Sequence, residues 1–205
     1  MNVASPEFCL RDYYAWHSRI YDATRWSFLF GRERLAGELG RRVRPRCILE
    51  IGCGTGANLA RLARLHPGAR LVGVDASGDM LTQARRKLSR YAGRIDLREA
   101  YYRSPLGLNP APDLVVFSYS LTMMGGGVDK VVRAAVDELA PGGWVGAVDF
   151  HATPSGRFRR WMSRNHVRME GDIRPLLEYM LPRGEAATRM AYGGLWEYFT
   201  FVGRK

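Results

Sequence analysis

The sequence contains few cysteines and no long apolar run. Its three cysteines, Cys9, Cys47 and Cys53, are an odd number without a repeated spacing, which argues against a disulfide framework and against a zinc site. No apolar stretch approaches the roughly 18 residues that span a bilayer. Residues 1–8 lack the basic and apolar regions of a signal peptide. We therefore expect a protein that is neither secreted nor transmembrane and that holds no metal.

Lysine is also scarce, and arginine supplies most of the positive charge. Lysine occurs only at Lys87, Lys130 and Lys205, yet the formal net charge is +11. A basic surface suits a polyanion or an anionic membrane, but arginine-rich usage can also follow from genome composition, so charge alone leaves the partner open. The 205 residues and the hydrophobic fraction of 46% fit one α/β domain over residues 1–205.

From residue 46 onward, short β-rich runs alternate with amphipathic helical segments. This alternation predicts parallel strands joined by crossover helices. The predicted strands are Cys47–Ile51, Arg70–Asp75, Arg94–Arg98, Asp113–Ser118 and Trp144–Asp149. The predicted helices are Ala57–Leu65, Gly78–Tyr91 with Ser77 as its N-cap, and Val128–Leu139, with a further helix around Arg32–Gly40.

The last part of the chain follows a different pattern. Thr188–Tyr192 and Trp196–Val202 have strand-like sequences and are separated by Gly193 and Gly194, which predicts an antiparallel hairpin. A dehydrogenase of the Rossmann type does not end its parallel sheet in this way. The hairpin therefore argues against a dinucleotide-dependent oxidoreductase.

A glycine-rich segment, residues 50–56, lies between the first predicted strand and the helix that follows it. Glycines there let the backbone turn tightly and approach a ligand closely. Asp75 ends the next strand and can accept hydrogen bonds from both ribose hydroxyls of a nucleoside. The glycine spacing also satisfies a loose dinucleotide fingerprint. Glu50 argues against a dinucleotide, because a carboxylate at this position suits a ligand with an ammonium group and no pyrophosphate.

Residues 50–56 resemble motif I of the class I S-adenosylmethionine-dependent methyltransferases, and Val74–Ser77 resembles their motif II. Pro141–Gly143 resembles the turn that precedes their fifth strand. The resemblance implies an α/β, Rossmann-like fold: a mostly parallel seven-stranded sheet with a C-terminal antiparallel hairpin and helices on both faces. It also implies S-adenosylmethionine as the methyl donor and S-adenosylhomocysteine as the product.

The cofactor residues follow from these positions. The Asp-Ala pair that the family places after the third strand corresponds here to Glu99 and Ala100, which assigns Glu99 to the adenine amino group. Arg25 is a candidate partner for a carboxylate of the cofactor or of the substrate. The expected cofactor-binding residues are Tyr21, Arg25, Glu50, Gly52, Gly54, Gly56, Asp75, Ala76, Met80, Glu99, Ala100 and Ser118.

Residues 1–45 precede the first predicted strand and are rich in aromatic side chains. Apolar and aromatic residues recur at helical spacing from Leu10 to Tyr21, which predicts an amphipathic helical lid over the cofactor mouth. Tyrosine rings in a methyl-transfer site can bind cationic amines and the sulfonium through their faces. We assign Tyr21 to that role, and expect most of the other aromatic residues to pack the helix onto the sheet.

A second segment outside the motifs, residues 151–183, follows the fifth predicted strand and is expected to form a basic helical insert. Its arginines alternate with Phe158, Trp161 and Met162. This pattern suits an anionic membrane surface. Nucleic acid as a partner and an ordinary solvent-exposed helix are also compatible with it.

Five further segments resemble the N-methyltransferases that complete bacterial betaine lipids. They are Ile20–Leu35, Phe117–Met123, Arg159–Met162, Asn165–Met169 and Tyr192–Phe199. The resemblance implies three successive methylations of the amine of diacylglyceryl-homoserine, by a cytoplasmic protein that associates peripherally with the inner face of the membrane. The similar phosphatidylethanolamine N-methyltransferases of bacteria are the alternative.

Methyl transfer to an amine needs a neutral nitrogen in line with the sulfonium carbon. The proton can leave to solvent or to Asp149 or His151 at the end of the fifth strand, because ligands of open α/β sheets lie at those strand ends. Ser118 and Tyr119, at the end of the fourth strand, are placed to orient the amine through their oxygens. The expected catalytic residues are Tyr21, Tyr119 and His151.

Other functions stay open at this point. An enzyme that methylates RNA bases would carry an Asn/Asp-Pro-Pro-Tyr/Phe or Pro-Cys motif near the fourth strand, where this sequence has Phe117–Ser120, so nucleic acid is not expected as a partner. A soluble small molecule is compatible with the fold, because the fold does not choose the acceptor. A binding protein without catalysis is expected to have lost Asp75 or a loop glycine, and it has lost neither.

Overall fold

The computed structural model describes residues 29–205, so Tyr21, Arg25 and the predicted helix of residues 10–21 lie outside the described residues. The strands are β1 (Cys47–Ile51), β2 (Arg70–Asp75), β3 (Ile95–Glu99), β4 (Leu114–Ser118), β5 (Trp144–Phe150), β6 (Glu185–Ala191) and β7 (Trp196–Arg204). The helices are α1 (Arg32–Arg42), α2 (Ala57–Leu65), α3 (Gly78–Lys87), α4 (Val128–Glu138), α5 (Gly156–Arg164) and α6 (Ile173–Met180).

All seven strands form one sheet in the order β3-β2-β1-β4-β5-β7-β6. β1 to β5 are parallel, and β7 is antiparallel to both of its neighbours, β5 and β6. The predicted mostly parallel seven-stranded sheet with an antiparallel hairpin is therefore confirmed. The order reverses at β1 and β4, and ligands of open α/β sheets bind at the carboxyl ends of the strands where such a reversal occurs.

Helices cover both faces of the sheet, as predicted. On the first face, α1, α2 and α3 contribute Leu39, Leu62 and Leu81 to one buried apolar cluster. On the second face, α4 and α6 contribute Val132 and Leu177 to another. β1 and β4 are buried along their whole length, because parallel strands between two helical layers expose neither side.

The predicted helix over Gly78–Tyr91 is shorter in the structure. It begins as predicted, with the Oγ of Ser77 accepting a hydrogen bond from the backbone N–H of Met80, but it ends at Lys87 and is followed by a 3-10 turn, Ser89–Arg94. The turn brings the guanidinium of Arg94 to the end of α2, where it donates hydrogen bonds to the carbonyl oxygens of three residues, Ala63, His66 and Ala69. A continuous helix would not reach them.

The C-terminal hairpin is longer than predicted, because β7 lies between β5 and β6 and is hydrogen-bonded on both edges. In its turn, Tyr192–Gly194, all three residues have positive φ values of 48°, 65° and 97°, a left-handed backbone that the two glycines adopt without strain. α5 and α6 both fall within the predicted basic insert of residues 151–183. None of the helices in residues 29–205 is long and apolar enough to cross a membrane.

Candidate functional site

The glycine loop between β1 and α2 folds back onto β2. The backbone N–H groups of Gly52 and Cys53 both donate to the carbonyl oxygen of Val74, at 2.8 and 3.0 Å. Gly52, Gly54 and Gly56 have φ values of 74°, 53° and 75°, in the left-handed region that favours glycine. The loop therefore reaches the carboxyl ends of β1 and β2 in a conformation that the three predicted glycines permit.

Two of these glycines differ in what surrounds them. A Cβ added to Gly52 would lie 2.4 Å from the Cβ of Ser120, so this glycine permits a close approach between two segments of the protein. A Cβ added to Gly54 would meet no protein atom within 4 Å. Gly54 therefore faces open space beside the strand ends, where a ligand can approach the backbone.

Glu50 lies beneath this loop in the first face of the sheet. Its Oε1 accepts a hydrogen bond from the Nδ2 of Asn58 on α2 at 3.0 Å, whereas its Oε2 is buried without a hydrogen-bond partner among the described residues. Burial raises the pKa of Glu50 to about 7, against the opposing hydrogen bond from Asn58 and the charge of Arg32. A buried carboxylate oxygen with no partner is costly unless a ligand satisfies it. Glu50 therefore suits an ammonium group.

Asp75 joins the loops that follow β1 and β2. Its Oδ2 accepts a hydrogen bond from the backbone N–H of Gly54 at 2.8 Å, and its Oδ1 accepts one from the N–H of Ser77 at 2.9 Å. Burial raises the pKa of Asp75, and the hydrogen bonds from the backbone oppose that rise. The carboxylate is thus held beside the glycine loop, and its remaining lone pairs can accept ribose hydroxyls.

The other predicted residues of this region surround Asp75. Glu99 is its register partner on β3, and the N–H of Ala100 donates to the carbonyl oxygen of Asp75 at 3.0 Å. Met80 is buried in the first turn of α3, and Ala76 follows Asp75 directly. A Cβ on Gly78 would lie 2.7 Å from the Oε2 of Glu99, so this carboxylate lies at the amino end of α3, where the helix dipole favours negative charge. Its adenine contact stays a prediction.

Arg32, which the sequence analysis missed, is a cationic residue of the site. Its Nε donates a hydrogen bond to the Oγ of the predicted Ser118 at 2.8 Å, and its charge lowers the pKa of Glu50. The guanidinium carbon lies 5.6 Å from the centre of the Tyr119 ring. The available signal was the position of Arg32 at the start of a helix that leads into β1. Arg32 can hold a carboxylate, the role that the sequence analysis assigned to Arg25.

Tyr119 lies at the end of β4 with a positive φ of 57°, and its ring packs edge-on against Phe150 with the centroids 4.8 Å apart. Its hydroxyl donates a hydrogen bond to the carbonyl oxygen of Phe30 at 2.6 Å. Burial raises the pKa of Tyr119 far above its ordinary value, so the phenol stays protonated near neutral pH. The structure therefore places Tyr119 next to Ser118 and Arg32, with its hydroxyl bonded to the segment before α1.

Asp149 and His151, the two candidate proton acceptors, have different surroundings. Asp149 is fully buried; its Oδ1 accepts hydrogen bonds from the hydroxyl of Thr122 at 2.6 Å and from the N–H of Phe150, and its Oδ2 accepts one from the N–H of Thr122. Burial raises the pKa of Asp149 to about 6, although these hydrogen bonds lower it. Both of its oxygens are thus already bonded within the protein.

His151 contacts the ring of Phe199 on the second face, with the centroids 6.1 Å apart. Burial lowers the pKa of His151, and its Nδ1 is buried without a hydrogen-bond partner among the described residues. Glu50 points instead toward Asn58 and α2 on the first face. The structure therefore does not bring His151 together with Glu50, and its role as a base stays a prediction.

The side chains gathered on the first face fit S-adenosylmethionine. Glu50 offers an unpartnered oxygen to an ammonium group, Arg32 a cation to a carboxylate, Asp75 acceptors to ribose hydroxyls, and Gly54 an open approach to its backbone. No group of three or more His, Cys, Asp or Glu side chains with the arrangement of a metal site occurs between residues 29 and 205. The chemistry of this donor set is that of a nucleoside linked to an amino acid.

Residues 49–145 match the family described as "Methyltransferase domain". A trans-aconitate 2-methyltransferase of Delftia acidovorans is 33% identical over 131 residues, which cover 62% of this chain and 46% of that protein. The match thus spans less than half the length of this curated relative. The family match contains the glycine loop, Asp75 and Ser118, and of the assembled site it leaves out Arg32.

Two solved structures share the fold. The N-methyltransferase NodS from Bradyrhizobium japonicum WM9, in complex with S-adenosylhomocysteine, is 21% identical with a TM-score of 0.69 and 85% of each chain covered. Phosphoethanolamine N-methyltransferase 2 of Haemonchus contortus, in complex with phosphomonomethylethanolamine and S-adenosylhomocysteine, is 15% identical with a TM-score of 0.74, covering 95% of this chain and 59% of that one. Residues 49–145 of this chain therefore match a methyltransferase domain, and the chain shares the fold of these two N-methyltransferases.

Proposed function

We propose that this protein transfers methyl groups from S-adenosylmethionine to the amine of a membrane-lipid headgroup, at the inner, cytoplasmic face of an anionic membrane. The lipid that we propose is diacylglyceryl-homoserine, which three methylations convert into a betaine lipid. The proposal depends above all on the outer surface of α5, which follows the carboxyl end of β5 and so lies at the end of the sheet where the candidate site is found.

α5 presents a basic surface with an aromatic side chain in it. Arg157, Arg160 and Arg164 are exposed, and half of the surface of Trp161 is exposed. No acidic residue occurs between Phe150 and Met169. Within residues 29–205, the three arginines form no ion pair with a carboxylate. Arginines that lack carboxylate partners are available to lipid phosphates, and a tryptophan among them suits the membrane–water interface.

Aromatic residues continue this surface at the turn between β6 and β7. The rings of Phe30 and Tyr192 are both substantially exposed and pack edge-on with their centroids 5.5 Å apart. The hydroxyl of Thr153, just before α5, donates a hydrogen bond to the carbonyl oxygen of Leu195 at 2.6 Å. The turn and the start of α5 are therefore neighbours, and Phe30 connects this surface to Tyr119 in the site.

The chemistry follows from the residues of the first face. The bound cofactor supplies an electrophilic methyl group. Glu50 and Arg32 would hold its amino-acid end and Asp75 its ribose, and this orientation would set the direction from which an acceptor approaches. Both oxygens of Asp149 are bonded within the protein and His151 lies on the second face. We therefore assign the proton of the acceptor amine to solvent.

A soluble carboxylic acid is the second candidate acceptor. It is favoured by the similarity to a relative named for trans-aconitate and by Arg32, a cation that can bind a substrate carboxylate as well as that of the cofactor. Phosphatidylethanolamine is the alternative lipid headgroup. With each acceptor the labelled methyl group is found on a different molecule, so one labelling experiment distinguishes them.

The test is to incubate the full chain with methyl-labelled S-adenosylmethionine and one acceptor at a time: anionic vesicles with diacylglyceryl-homoserine, the same vesicles with phosphatidylethanolamine, trans-aconitate, or bulk RNA. We expect label in diacylglyceryl-homoserine alone. Label in phosphatidylethanolamine would show that the acceptor is a different lipid headgroup, and it would contradict diacylglyceryl-homoserine as the substrate but not action on a membrane lipid. Label in trans-aconitate or RNA and not in lipid would overturn the proposal.

Contact between α5 and the membrane can be tested separately, by measuring the binding of variants to vesicles. Substituting Arg157, Arg160 and Arg164 together by Gln should weaken binding to anionic vesicles by about a hundredfold, because each basic residue near the surface contributes about 1 kcal/mol. A matched variant with Arg85, Arg86 and Arg90 changed to Gln removes the same charge from exposed positions in or just after α3. Equal weakening in both variants would show a general charge effect and would contradict docking through α5.

A further inference from the structure

The loop that follows β4 forms one wall of the candidate site. The hydroxyl of Ser120 donates a hydrogen bond to the carbonyl oxygen of Ile51 at 2.8 Å, and Gly52 approaches Ser120 so closely that an added Cβ would lie 2.4 Å away. This loop and the glycine loop therefore determine each other's position. A shift of the residues after Ser118 would change the space between the cofactor and its acceptor.

The first half of the same loop is held by hydrogen bonds to Asp149 near the end of β5. The side chain and the backbone N–H of Thr122 donate hydrogen bonds to the two oxygens of Asp149, at 2.6 and 3.2 Å. Thr122 is almost fully buried. These bonds hold the first half of the loop but do not reach Gly125, which has a positive φ of 63° and where an added Cβ would meet no protein atom within 4 Å.

Arg168, in the insert between α5 and α6, holds the second half. Its backbone N–H donates to the carbonyl oxygen of Thr122 at 2.9 Å, and its Nη1 donates to that of Gly125 at 3.0 Å. Its Nη2 donates to the Oδ2 of Asp172 at 2.6 Å, just before α6. One guanidinium therefore bridges the insert and the loop, and the carboxylate of Asp172 fixes its orientation.

We infer that Arg168 is a positioning residue for methyl transfer, which acts by holding the loop after β4 against the glycine loop. The inference rests on the proposed function, because the reaction whose geometry Arg168 maintains is the proposed methylation. It also connects the basic surface to the site: α5 and Arg168 belong to the same insert, so contact of α5 with a lipid surface acts on a segment that is bonded to the wall of the site.

The test compares Arg168→Ala, Arg168→Lys and a control, Arg94→Ala. Arg94 also donates side-chain hydrogen bonds to backbone carbonyl oxygens, but at the end of α2, far from the loop in the fold. The first readout is amide hydrogen exchange of residues 121–127 with S-adenosylhomocysteine bound. We expect exchange about tenfold faster in Arg168→Ala, intermediate in Arg168→Lys and unchanged in Arg94→Ala.

The second readout separates positioning from stability. At saturating cofactor and lipid, Arg168→Ala should lower kcat per folded molecule by about tenfold or more, while the Kd for S-adenosylhomocysteine changes by less than about twofold. Arg168→Lys should recover part of kcat, and Arg94→Ala should lower only the unfolding free energy. The Lys variant keeps the comparison possible if Arg168→Ala does not fold.

Unchanged exchange in both Arg168 variants would overturn the inference, and so would faster exchange with an unchanged kcat. A wild-type protein that methylates none of the lipids would contradict the proposed function. The exchange measurement would still decide whether Arg168 holds the loop, and kcat would then be measured with whichever acceptor takes the label. The two failures are therefore distinguishable.

Discussion

The hydroxyl of Tyr119 donates a hydrogen bond to the carbonyl oxygen of Phe30 at 2.6 Å and so joins the end of β4 to the segment before α1. Tyr119→Phe removes the hydroxyl donor and leaves the carbonyl oxygen of Phe30 without this hydrogen bond. We expect a loss of about 1–2 kcal/mol in the free energy of unfolding, measured by urea denaturation. Tyr179→Phe, at a highly exposed tyrosine, should change it by less than about 0.5 kcal/mol. A similar loss in both variants would contradict this role for the bond.

Alanine substitutions in the glycine loop should separate folding from ligand binding. Gly54→Ala meets no protein atom within 4 Å, so it should cost only the left-handed φ, about 1–2 kcal/mol of unfolding free energy. Its methyl group enters the open side of the loop and should weaken S-adenosylhomocysteine binding by about tenfold or more in calorimetry. Gly52→Ala also collides with Ser120 and should cost about 3 kcal/mol or more. An equal loss of unfolding free energy in Gly54→Ala and Gly52→Ala would contradict this prediction.

Glu50→Gln should change how stability and binding depend on pH. The pKa of Glu50 is raised from 4.5 to about 7, so the folded protein retains a proton that the unfolded chain loses. The stability that this proton contributes is complete below pH 4.5 and is lost as the pH rises through about 7. In this window the wild type should lose up to about 1.4 kcal/mol per pH unit relative to Glu50→Gln.

Urea denaturation of both ligand-free proteins across this window gives that difference, and the contribution of Asp149 cancels because both proteins contain it. Since an ammonium group favours the ionised carboxylate, the affinity of the wild type for S-adenosylhomocysteine should rise over the same window. Glu50→Gln should bind more weakly and without that rise. Parallel pH profiles in the two proteins would show that Glu50 does not titrate here.

Glu138 holds the loop after β3 and is expected to stabilise the fold without acting in the site. Its Oε1 accepts a hydrogen bond from the N–H of Leu108 at 2.8 Å, and its Oε2 is bonded to the N–H of Leu106 and the hydroxyl of Tyr102. Glu138→Ala leaves the N–H groups of Leu106 and Leu108 without this acceptor, while the hydroxyl of Tyr102 keeps its bond to the carbonyl oxygen of Ala134, and the change should cost about 2–4 kcal/mol. Asp137→Ala, at the exposed neighbouring position, should cost less than about 0.5 kcal/mol. Thermal and urea unfolding of the two variants check the difference.

The strands and the positions of Glu50 and Asp75 could be predicted from the sequence, because the pattern that signals them is local. Glu50 stands near the end of an apolar run that leads into the turn glycines, Asp75 ends the next apolar run, and parallel strands bring their carboxyl ends to one edge. Arg32 could not be found in this way. It meets Ser118 across 86 positions of sequence, and only the packing of α1 on the first face brings the two together.

The side of the sheet on which His151 lies could also not be predicted. Side chains alternate along a strand, so Asp149 and His151 share one face and Phe150 takes the other. The sequence does not reveal which of these faces coincides with that of Glu50 on another strand, because this depends on the twist and register of the assembled sheet. The end of β5 was predicted to within one residue, at Asp149 and not at Phe150, but the face toward which the side chains of Asp149 and His151 point could not be predicted.

The bonds of Asp75 bear on how related sequences can be interpreted. Its two oxygens connect the loops after β1 and β2 in the protein alone, before any nucleoside is present. A homologue without the proposed methyl transfer would still need this acid to keep the same backbone, and Gly52 would be retained for the same reason. Retention of these residues in a homologue therefore reports selection on the shape of the loops, whereas the buried, unpartnered oxygen of Glu50 is the feature that only a ligand would preserve.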